Sequence, residues 1–196
     1  MSEIKRVAVF CGSNPGARPG YVAAAKALAR TLASRGIGVV YGGSNVGLMA
    51  ALADEMLDEL GDVIGIIPKT LVEREVANTA LSDLRIVGSM HERKAMMAEL
   101  ADGFIALPGG IGTLEEFFEM WTWAQLGMHR KPCGLLNAEG YFDALLAFLD
   151  HTVEEKFVRA IHREMVVVED DPGALLDRFE AYEPPQVVKW VNAHTI

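Results

Sequence analysis

Short apolar runs alternate with longer amphipathic stretches along the chain. The runs end at glycine, proline or polar residues, as buried strands do, and the stretches between them carry apolar residues at helical spacing. The predicted strands are 7–11, 39–41, 63–67, 85–88, 103–107, 133–136 and 165–168. The predicted helices are 20–35, the stretch after the second strand through Leu60, 90–101, 113–126, about 141–154, a short helix near Phe157 and 172–182, with a polar connection over 69–83.

This alternation predicts the fold class. Short apolar strands that are separated by amphipathic helices form a parallel sheet whose two faces are covered by helices. We therefore expect an α/β fold, a Rossmann-like three-layer sandwich. The chain has 196 residues, a usual length for one compact domain. We expect a single Rossmann-like domain over 1–183 and a C-terminal tail over 184–196, which begins at Pro184-Pro185.

Charge and composition narrow the range of partners. The net charge of −9 would repel a polyanion, and no cluster of basic and aromatic residues offsets that repulsion, so nucleic acid is not an expected partner. A small anion is held by nearby groups, so a phosphate ligand remains compatible with this charge. Cys11 and Cys133 lie in apolar runs, as buried free thiols do, which indicates a reducing compartment.

No stretch approaches the roughly 18 apolar residues of a membrane span, so we expect a cytoplasmic protein without membrane contact. The five histidines are dispersed, and no set of His, Cys and carboxylate residues has metal-ligand spacing. We therefore expect no catalytic metal.

Three glycine loops follow predicted strands, at the sheet edge where ligands bind in such folds. They are 12–14, 42–47 and 108–113. Glycine allows close backbone approach, and each following helix presents unpaired N–H groups that favour a phosphate. One such loop could be merely a tight turn, but three at one edge favour a phosphate site. Leu48-Met49 stand where a Walker loop needs Lys and Ser or Thr, and neither longer loop matches GxGxxG, so neither an ATPase nor a dinucleotide enzyme is indicated.

Arg93 is the first candidate for chemistry. It shares a helical face with Met90, Met97 and Leu100, which places a guanidinium on an apolar stripe. A buried charge needs a partner, and the sequence leaves a structural ion pair and a ligand contact equally open. The preceding Ser89 and Glu92 have capping-box spacing, so part of this segment is explained as a helix start.

Glu116 is the second candidate, and it presents a similar choice. Thr113 and Glu116 have capping-box spacing, which a structural role would explain. The same helix is apolar on nearly every side, so Glu116 would lie in a partly dry site beside a glycine loop. There a carboxylate can orient water or face an oxocarbenium-like sugar. An apolar helix of this kind also suits a homodimer interface, although burial in one core explains it nearly as well.

Two motifs together resemble the signature of the lonely-guy family, the cytokinin riboside monophosphate phosphoribohydrolases. They are 89–94, Ser-Met-His-Glu-Arg-Lys, and 108–116, Pro-Gly-Gly-Ile-Gly-Thr-Leu-Glu-Glu. The resemblance extends to Cys11-Gly12-Ser13, to Tyr41-Gly42-Gly43 and to 122–127. It implies a Rossmann-like homodimer with its site near the subunit interface. The implied reaction cleaves a nucleotide to free base and ribose 5-phosphate without a redox cofactor.

The resemblance also assigns residues. Arg93 and Glu116 match the family's catalytic pair, and 110–113 match its phosphate-binding loop. Segment 72–78 departs more from the family pattern, which leaves the preferred base open between an isoprenoid-modified adenine and plain adenine. The substrate-binding residues that we expect are Gly12, Ser13, Gly43, Glu75, Lys94, Gly109, Gly110, Ile111, Gly112, Thr113, Leu114, Glu115 and Thr122.

Three other functions remain open. A noncatalytic carrier or sensor could bind a nucleotide or a molybdenum-cofactor-like phosphate on the same loops. A pyridoxal-phosphate decarboxylase would need Lys26, Lys69 or Lys94 as its Schiff base, and none has a sequence context that indicates this. A general purine or pyrimidine monophosphate nucleosidase would use the same chemistry with a different base pocket.

Overall fold

The fold is that of a computed structural model, which describes residues 4–72 and 77–186. Its strands are β1 Arg6–Phe10, β2 Gly38–Tyr41, β3 Val63–Pro68, β4 Asp83–Val87, β5 Gly103–Ala106, β6 Cys133–Leu136 and β7 Val166–Glu169. Its helices are α1 Pro19–Ser34, α2 Gly47–Asp58, α3 Lys69–Val72, α4 Met90–Leu100, α5 Ile111–Gln125, α6 Asp143–Glu154, α7 Ala160–Arg163 and α8 Pro172–Glu180. A 3-10 turn occupies Ala138–Gly140.

The seven strands form one sheet in the order β4-β3-β2-β1-β5-β6-β7, and every neighbouring pair is parallel. The chain winds outward from β1 to β4, then returns to the other side of β1 with β5. The loops that follow β1 and β5 therefore leave the sheet in opposite directions. A crevice opens at such a switch point, and ligands bind there in open parallel sheets.

Two apolar layers enclose the sheet. On one face, α1, α2 and α8 pack through residues such as Leu28, Leu52 and Leu175. On the other, α4, α5 and α6 pack through residues such as Met97 and Phe117. The predicted three-layer α/β sandwich with helices on both faces is confirmed.

Several boundaries differ from those predicted. The polar connection over 69–83 contains the one-turn helix α3, and β4 already begins at Asp83. Pro68 is the last residue of β3 rather than its stop, and it pairs with Val87. The short helix lies at Ala160–Arg163 instead of near Phe157, which is 86% exposed. The backbone of Lys156, at φ +64, ends α6 just before Phe157.

The beginning of α6 also differs from the prediction. The Asn137 side chain accepts a hydrogen bond from the Phe142 N–H at 2.7 Å and donates one to Asp143 Oδ1 at 2.7 Å. This side chain thereby ties the 3-10 turn to the start of the helix. The helix begins at Asp143, and Tyr141 lies in the connection before it.

The proposed division into a domain over 1–183 and a tail stays a prediction. Residues 184–186 have no helix or strand, and the rest of the tail lies outside the described residues. Among the helices within 4–72 and 77–186, none has the length and apolar character needed to cross a bilayer.

Candidate functional site

The three glycine loops meet at the carboxyl edge of the sheet. The Gly12 N–H donates to the Pro108 carbonyl at 3.0 Å, which joins the loops after β1 and β5. The Leu48 N–H donates to the Gly12 carbonyl at 3.0 Å, which joins the start of α2 to the same loop. Gly47 has φ +60, and a Cβ there would lie 2.3 Å from the Ser13 carbonyl carbon. The loops therefore touch so closely that a side chain at residue 47 has no room.

Helix α4 presents Arg93 to this edge. Ser89 caps the helix, since its Oγ accepts from the Glu92 N–H at 3.1 Å and the Glu92 carboxylate accepts from the Gly88 N–H at 2.7 Å. The predicted helix start is confirmed, and Arg93 lies in the first turn that follows it. Arg93 is 8% exposed, and its Nε donates to the Ile66 carbonyl in β3 at 3.0 Å. This bond anchors the guanidinium to the sheet.

Helix α5 presents Glu116, which pairs with Arg93. Arg93 Nη1 donates to Glu116 Oε1 at 2.7 Å, and Glu116 is 7% exposed. The Thr113–Glu116 capping alternative is wrong, because α5 begins at Ile111 with Gly110 as its N-cap. Glycine is a poor helix former, and Gly112 in the first turn hides the true start from a helical-spacing argument. The carboxylate of Glu116 is therefore directed to the guanidinium.

Gly42 makes room for the guanidinium. A Cβ built on Gly42 would lie 2.1 Å from Arg93 Nη2 and 2.9 Å from the Met49 sulfur. Atoms do not approach this closely, so any side chain at residue 42 would displace Arg93. Its glycine is required by space and not by a left-handed backbone, unlike Gly43, which has φ +69.

A cavity of about 310 Å³ opens over the ion pair. The first turn of α5 with its glycines lines this cavity, and so do apolar residues from β1, α2 and α4. The complete lining is Val9, Phe10, Cys11, Ser13, Gly42, Met49, Met90, Arg93, Gly110, Ile111, Gly112, Thr113, Glu115 and Glu116. A single concave space thus joins a carboxylate, a guanidinium and a helix N-terminus, which attracts anions.

Burial sets the electrostatics of this cavity. Burial raises the pKa of Glu116 above its ordinary value, and the nearby Arg93 guanidinium offsets part of that rise. Burial, with a further contribution from Glu116, also raises the pKa of the Cys11 thiol. Cys11 therefore stays a neutral thiol beside the ion pair, where a thiolate would be repelled by the carboxylate.

Lys94 lies next to Arg93 in sequence but has different partners. It is 4% exposed, and its Nζ binds Glu115 Oε1 and lies 3.1 Å from Glu119 Oε2. Burial alone would lower the pKa of Lys94, but these two carboxylates outweigh burial and raise it. Lys94 therefore ties α4 to α5 through ion pairs beside Arg93 and Glu116.

Comparison with known proteins identifies the family. The model of the family described as "Possible lysine decarboxylase" matches residues 49–179. A cytokinin riboside 5'-monophosphate phosphoribohydrolase of Arabidopsis thaliana is 48% identical over 183 residues, which cover 93% of this chain and 84% of that protein. A second Arabidopsis thaliana protein of the same name is also 48% identical, over 93% of this chain and 85% of its own length. The chain belongs to this phosphoribohydrolase family.

Solved structures that resemble the protein support the fold alone. The molybdenum cofactor binding protein from the phototrophic bacterium Rippkaea orientalis superimposes with a TM-score of 0.69 at 22% identity, over 92% of this chain and 98% of that one. The molybdenum cofactor carrier protein from Chlamydomonas reinhardtii gives 0.67 at 18% identity, over 92% of this chain and 100% of that one. The predicted resemblance to the phosphoribohydrolase family is confirmed by the sequence matches above.

The predicted site residues of this family member fall into three groups. The first group lines the cavity over the Arg93–Glu116 ion pair: Ser13, Arg93, Gly110, Ile111, Gly112, Thr113, Glu115 and Glu116. The second lines an adjoining cavity of about 260 Å³, which shares Ser13 and Gly110 and adds Gly12 and Gly109. The third lies on neither wall: Gly43, Lys94, Leu114 and Thr122, of which Thr122 is exposed and Lys94 is buried. Glu75 lies outside the described residues.

Sequence reasoning overlooked four residues at the site. Gly43 was expected at the substrate and Gly42 was not, although of the two it is Gly42 that leaves room for the guanidinium. Met49 and Met90 contribute to the cavity wall, and apolar residues at helical spacing carry no signal that distinguishes wall from core. Tyr141 reaches Gly109 across 32 positions of the chain, a contact that no local pattern reveals.

The three lysines considered for a Schiff base are absent from the cavity wall that the described residues form. Lys26 binds Glu55 at 2.9 Å on α2, and Lys94 is held by its two carboxylates. Lys69 lies at the exposed start of α3. Within 4–72 and 77–186, no group of three or more His, Cys, Asp and Glu side chains is arranged to hold a metal ion.

Proposed function

We propose that the protein hydrolyses the N-glycosidic bond of a nucleoside 5'-monophosphate, giving free base and ribose 5-phosphate. The observation that carries the proposal is the buried pair Arg93–Glu116 in the lining of the same cavity as the glycine-rich start of α5. The names of the Arabidopsis thaliana relatives support the same chemistry, and they favour a cytokinin riboside monophosphate as substrate, with AMP as the alternative.

The 5'-phosphate binds at the first turn of α5. The first N–H groups of a helix have no partner within it, and together with the helix dipole they favour an anion. Gly110 and Gly112 are exposed, and a Cβ on either would meet nothing within 4 Å, so the backbone there is open to a ligand. Binding energy from this phosphate, remote from the broken bond, holds the ribose against Glu116.

Glu116 acts at the anomeric carbon. It activates water for attack or stabilises the oxocarbenium-like transition state, in which positive charge develops on the sugar. The C1'–N bond breaks, the hydroxyl of water joins C1' and a proton goes to the base. Arg93 orients the carboxylate through the 2.7 Å bond and assists departure of the base. Its bond to the Ile66 carbonyl keeps the guanidinium in place while this happens.

The proposal extends to the setting of the reaction. We place the protein in the cytoplasm, which its buried free thiols support, and we assign it no nucleic-acid partner, membrane partner or redox cofactor. A homodimer is supported by exposed apolar residues near the cavity: Ile111 is 83% exposed and Met90 is 42% exposed. Sedimentation equilibrium tests this, since a dimer has about twice the 21.3 kDa mass of one chain.

The test of the reaction is chromatographic detection of free base and ribose 5-phosphate. Purified protein is mixed with isopentenyl-AMP, AMP or the matching phosphate-free ribosides. We expect release of base from a monophosphate, no release from ribosides and loss of release in Glu116→Gln, which keeps size and removes charge. Glu99→Gln, an exposed carboxylate on α4, is the matched control and keeps activity. Binding without release from any monophosphate would refute the hydrolase and leave a carrier.

A further inference from the structure

A second cavity adjoins the cavity over the Arg93–Glu116 pair, which we call the reaction cavity. The two cavities meet at the loop between β5 and α5. The second cavity has a volume of about 260 Å³ and shares Ser13 and Gly110 with the reaction cavity. Two aromatic residues, Tyr21 of α1 and Tyr141, form part of its wall. The loop between the cavities is therefore contacted from both sides, and Tyr141 belongs to the side that the proposed reaction does not use.

Tyr141 holds the loop by a direct hydrogen bond. Its hydroxyl donates to the Gly109 carbonyl at 2.5 Å. The ring is fixed by edge contacts, with centroids 5.5 Å from Tyr21 and 5.0 Å from Phe142. The 3-10 turn Ala138–Gly140 carries Tyr141 to this position. A rigidly held aromatic ring thus places one donor against one carbonyl.

The Gly109 carbonyl belongs to the peptide of this loop whose orientation depends most on a contact from outside the loop. The preceding carbonyl, of Pro108, accepts from the Gly12 N–H at 3.0 Å, and the following carbonyl, of Gly110, accepts from the Leu114 N–H at 3.1 Å. Between them lies the Gly109–Gly110 peptide. Two consecutive glycines have few steric restrictions, so this peptide can rotate between orientations more easily than its neighbours. Tyr141 selects one of them.

The orientation of the Gly109–Gly110 peptide determines where the Gly110 N–H points. In a planar trans peptide, the carbonyl and the following N–H point in opposite directions. Because the Gly109 carbonyl faces the Tyr141 hydroxyl, the Gly110 N–H is held on the side away from Tyr141. There it adds to the N–H groups at the start of α5, where the proposed function places the 5'-phosphate.

We propose that Tyr141 is a positioning residue for phosphate binding, which acts by fixing the orientation of the Gly109–Gly110 peptide. The inference rests on the proposed function, because it assigns to the start of α5 the 5'-phosphate of the substrate. Tyr141 does not contact substrate in this account. Its effect reaches the ligand through one backbone amide, so the weakened contact is the one to the phosphate, and no contact to the base or the ribose is lost.

The test compares Tyr141→Phe with the matched control Tyr21→Phe by calorimetric titration of ribose 5-phosphate. Tyr141→Phe removes the hydroxyl and keeps the ring, so the dissociation constant for ribose 5-phosphate should rise about 3- to 10-fold, the scale of one net hydrogen bond. Tyr21→Phe should bind it as the wild type does. With nucleotide substrate, KM should rise by a similar factor while kcat stays within about twofold, because uniform binding is lost. Inhibition by phosphate-free riboside should be unchanged.

Each other outcome has one meaning. Equal ribose 5-phosphate binding by wild type and Tyr141→Phe overturns the inference and leaves the proposed function in place. Equal weakening for ribose 5-phosphate and for riboside, or a fall in kcat with unchanged KM, overturns it in favour of a general structural role. A wild type that releases base but does not bind ribose 5-phosphate overturns the assignment of the phosphate to α5, and with it the role of Tyr141.

Discussion

The guanidinium of Arg93 occupies the space that a side chain at Gly42 would need, since a Cβ there would lie 2.1 Å from Nη2. Gly42 follows β2 and Arg93 lies in α4, so the backbone at Gly42 packs against a guanidinium from another element. The position of Arg93 is thereby determined by three contacts: with the Gly42 backbone, with the Ile66 carbonyl and with Glu116.

Substitution of Gly42 tests whether this placement matters for the reaction. Gly42→Ala should lower kcat about 100-fold or more, because it moves a charged group away from the developing charge of the transition state. The fold should persist, as the residue needs no left-handed backbone. Steady-state base release and circular dichroism are the measurements.

Gly88→Ala provides the control for that experiment. Gly88 likewise follows a strand, β4, and lies before α4, but a Cβ there would meet only the flexible Glu92 carboxylate, at 3.2 Å. The activity of the Gly88→Ala variant should equal that of the wild type. Full activity in Gly42→Ala would show that the observed position of Arg93 is not needed for the reaction.

The pH dependence of activity tests the state of Glu116. Its pKa is raised above the ordinary value of 4.5, so as pH falls the carboxylate is protonated earlier than an exposed glutamate would be. If the ionised form is required, activity should fall on an acid limb that lies above pH 4.5. The measurement is kcat/KM for a nucleoside monophosphate as a function of pH.

The substrate contributes its own limb to that profile, since a phosphate monoester titrates at about pH 6. The pH dependence of ribose 5-phosphate binding by Glu116→Gln separates the two, because this variant keeps the limb of the phosphate and lacks that of the carboxyl. A Glu116 limb at or below the ordinary glutamate value would contradict the effect of burial.

Removal of Lys94 should affect stability more than substrate binding. Lys94→Met leaves Glu119 partly buried without its counter-ion, so the free energy of unfolding should fall by about 3 kcal/mol, the usual scale for breaking a buried pair. Urea unfolding measures this. The double variant Lys94→Met with Glu119→Gln should recover part of the loss. A rise in KM with unchanged stability would instead support the predicted substrate contact.

His129 should make the protein less stable in acid. Its Nδ1 accepts from the Lys131 N–H at 3.1 Å and its Nε2 lies 2.9 Å from the Met120 carbonyl, an arrangement that requires a neutral ring. Burial lowers its pKa to about 4. The unfolded chain, with a histidine pKa near 6.5, binds more protons between those values, so stability falls as pH decreases from about 6.5 to about 4.

The full effect is at most about 3 kcal/mol over that interval, since each pKa unit corresponds to about 1.4 kcal/mol. Urea unfolding near pH 7 and near pH 4.5 measures it. His129→Gln cannot titrate and should show a smaller loss. Identical losses in the two proteins would indicate that His129 is not responsible.

The chemistry could be predicted from sequence where the relevant residues are close along the chain. Arg93 was identified because a charge interrupts an apolar stripe, and Glu116 because it follows a glycine loop; the structure joins them at 2.7 Å. An ion pair was one of the two roles that the sequence left open for Arg93, and the sequence could not show its geometry. It depends on the angle between α4 and α5, which side-chain packing on the sheet determines and helical spacing does not reveal.

Local sequence patterns could not predict where α5 starts or what Tyr141 contacts, and the reasons differ. Gly112 in the first turn opposes a helix in isolation, so tertiary packing must help to begin the helix at Ile111. Tyr141 was assigned to the beginning of a helix, and only the 3-10 turn places it beside Gly109 instead. Lys94 was expected at the ligand, but a nearby pair of carboxylates attracts it.

The pairing of β1 with β5 has a consequence for how the protein folds. Asp102, just before β5, accepts from the amides of Lys5 and Arg6 at 2.9 and 3.0 Å, across 97 and 96 positions of the chain. Pairings this distant in sequence are slow to form, because the intervening chain must lose its freedom first. During synthesis β1 can pair with β2 long before β5 leaves the ribosome. Four of the seven strands can therefore pair before the loop after β5 completes the cavity over Arg93 and Glu116.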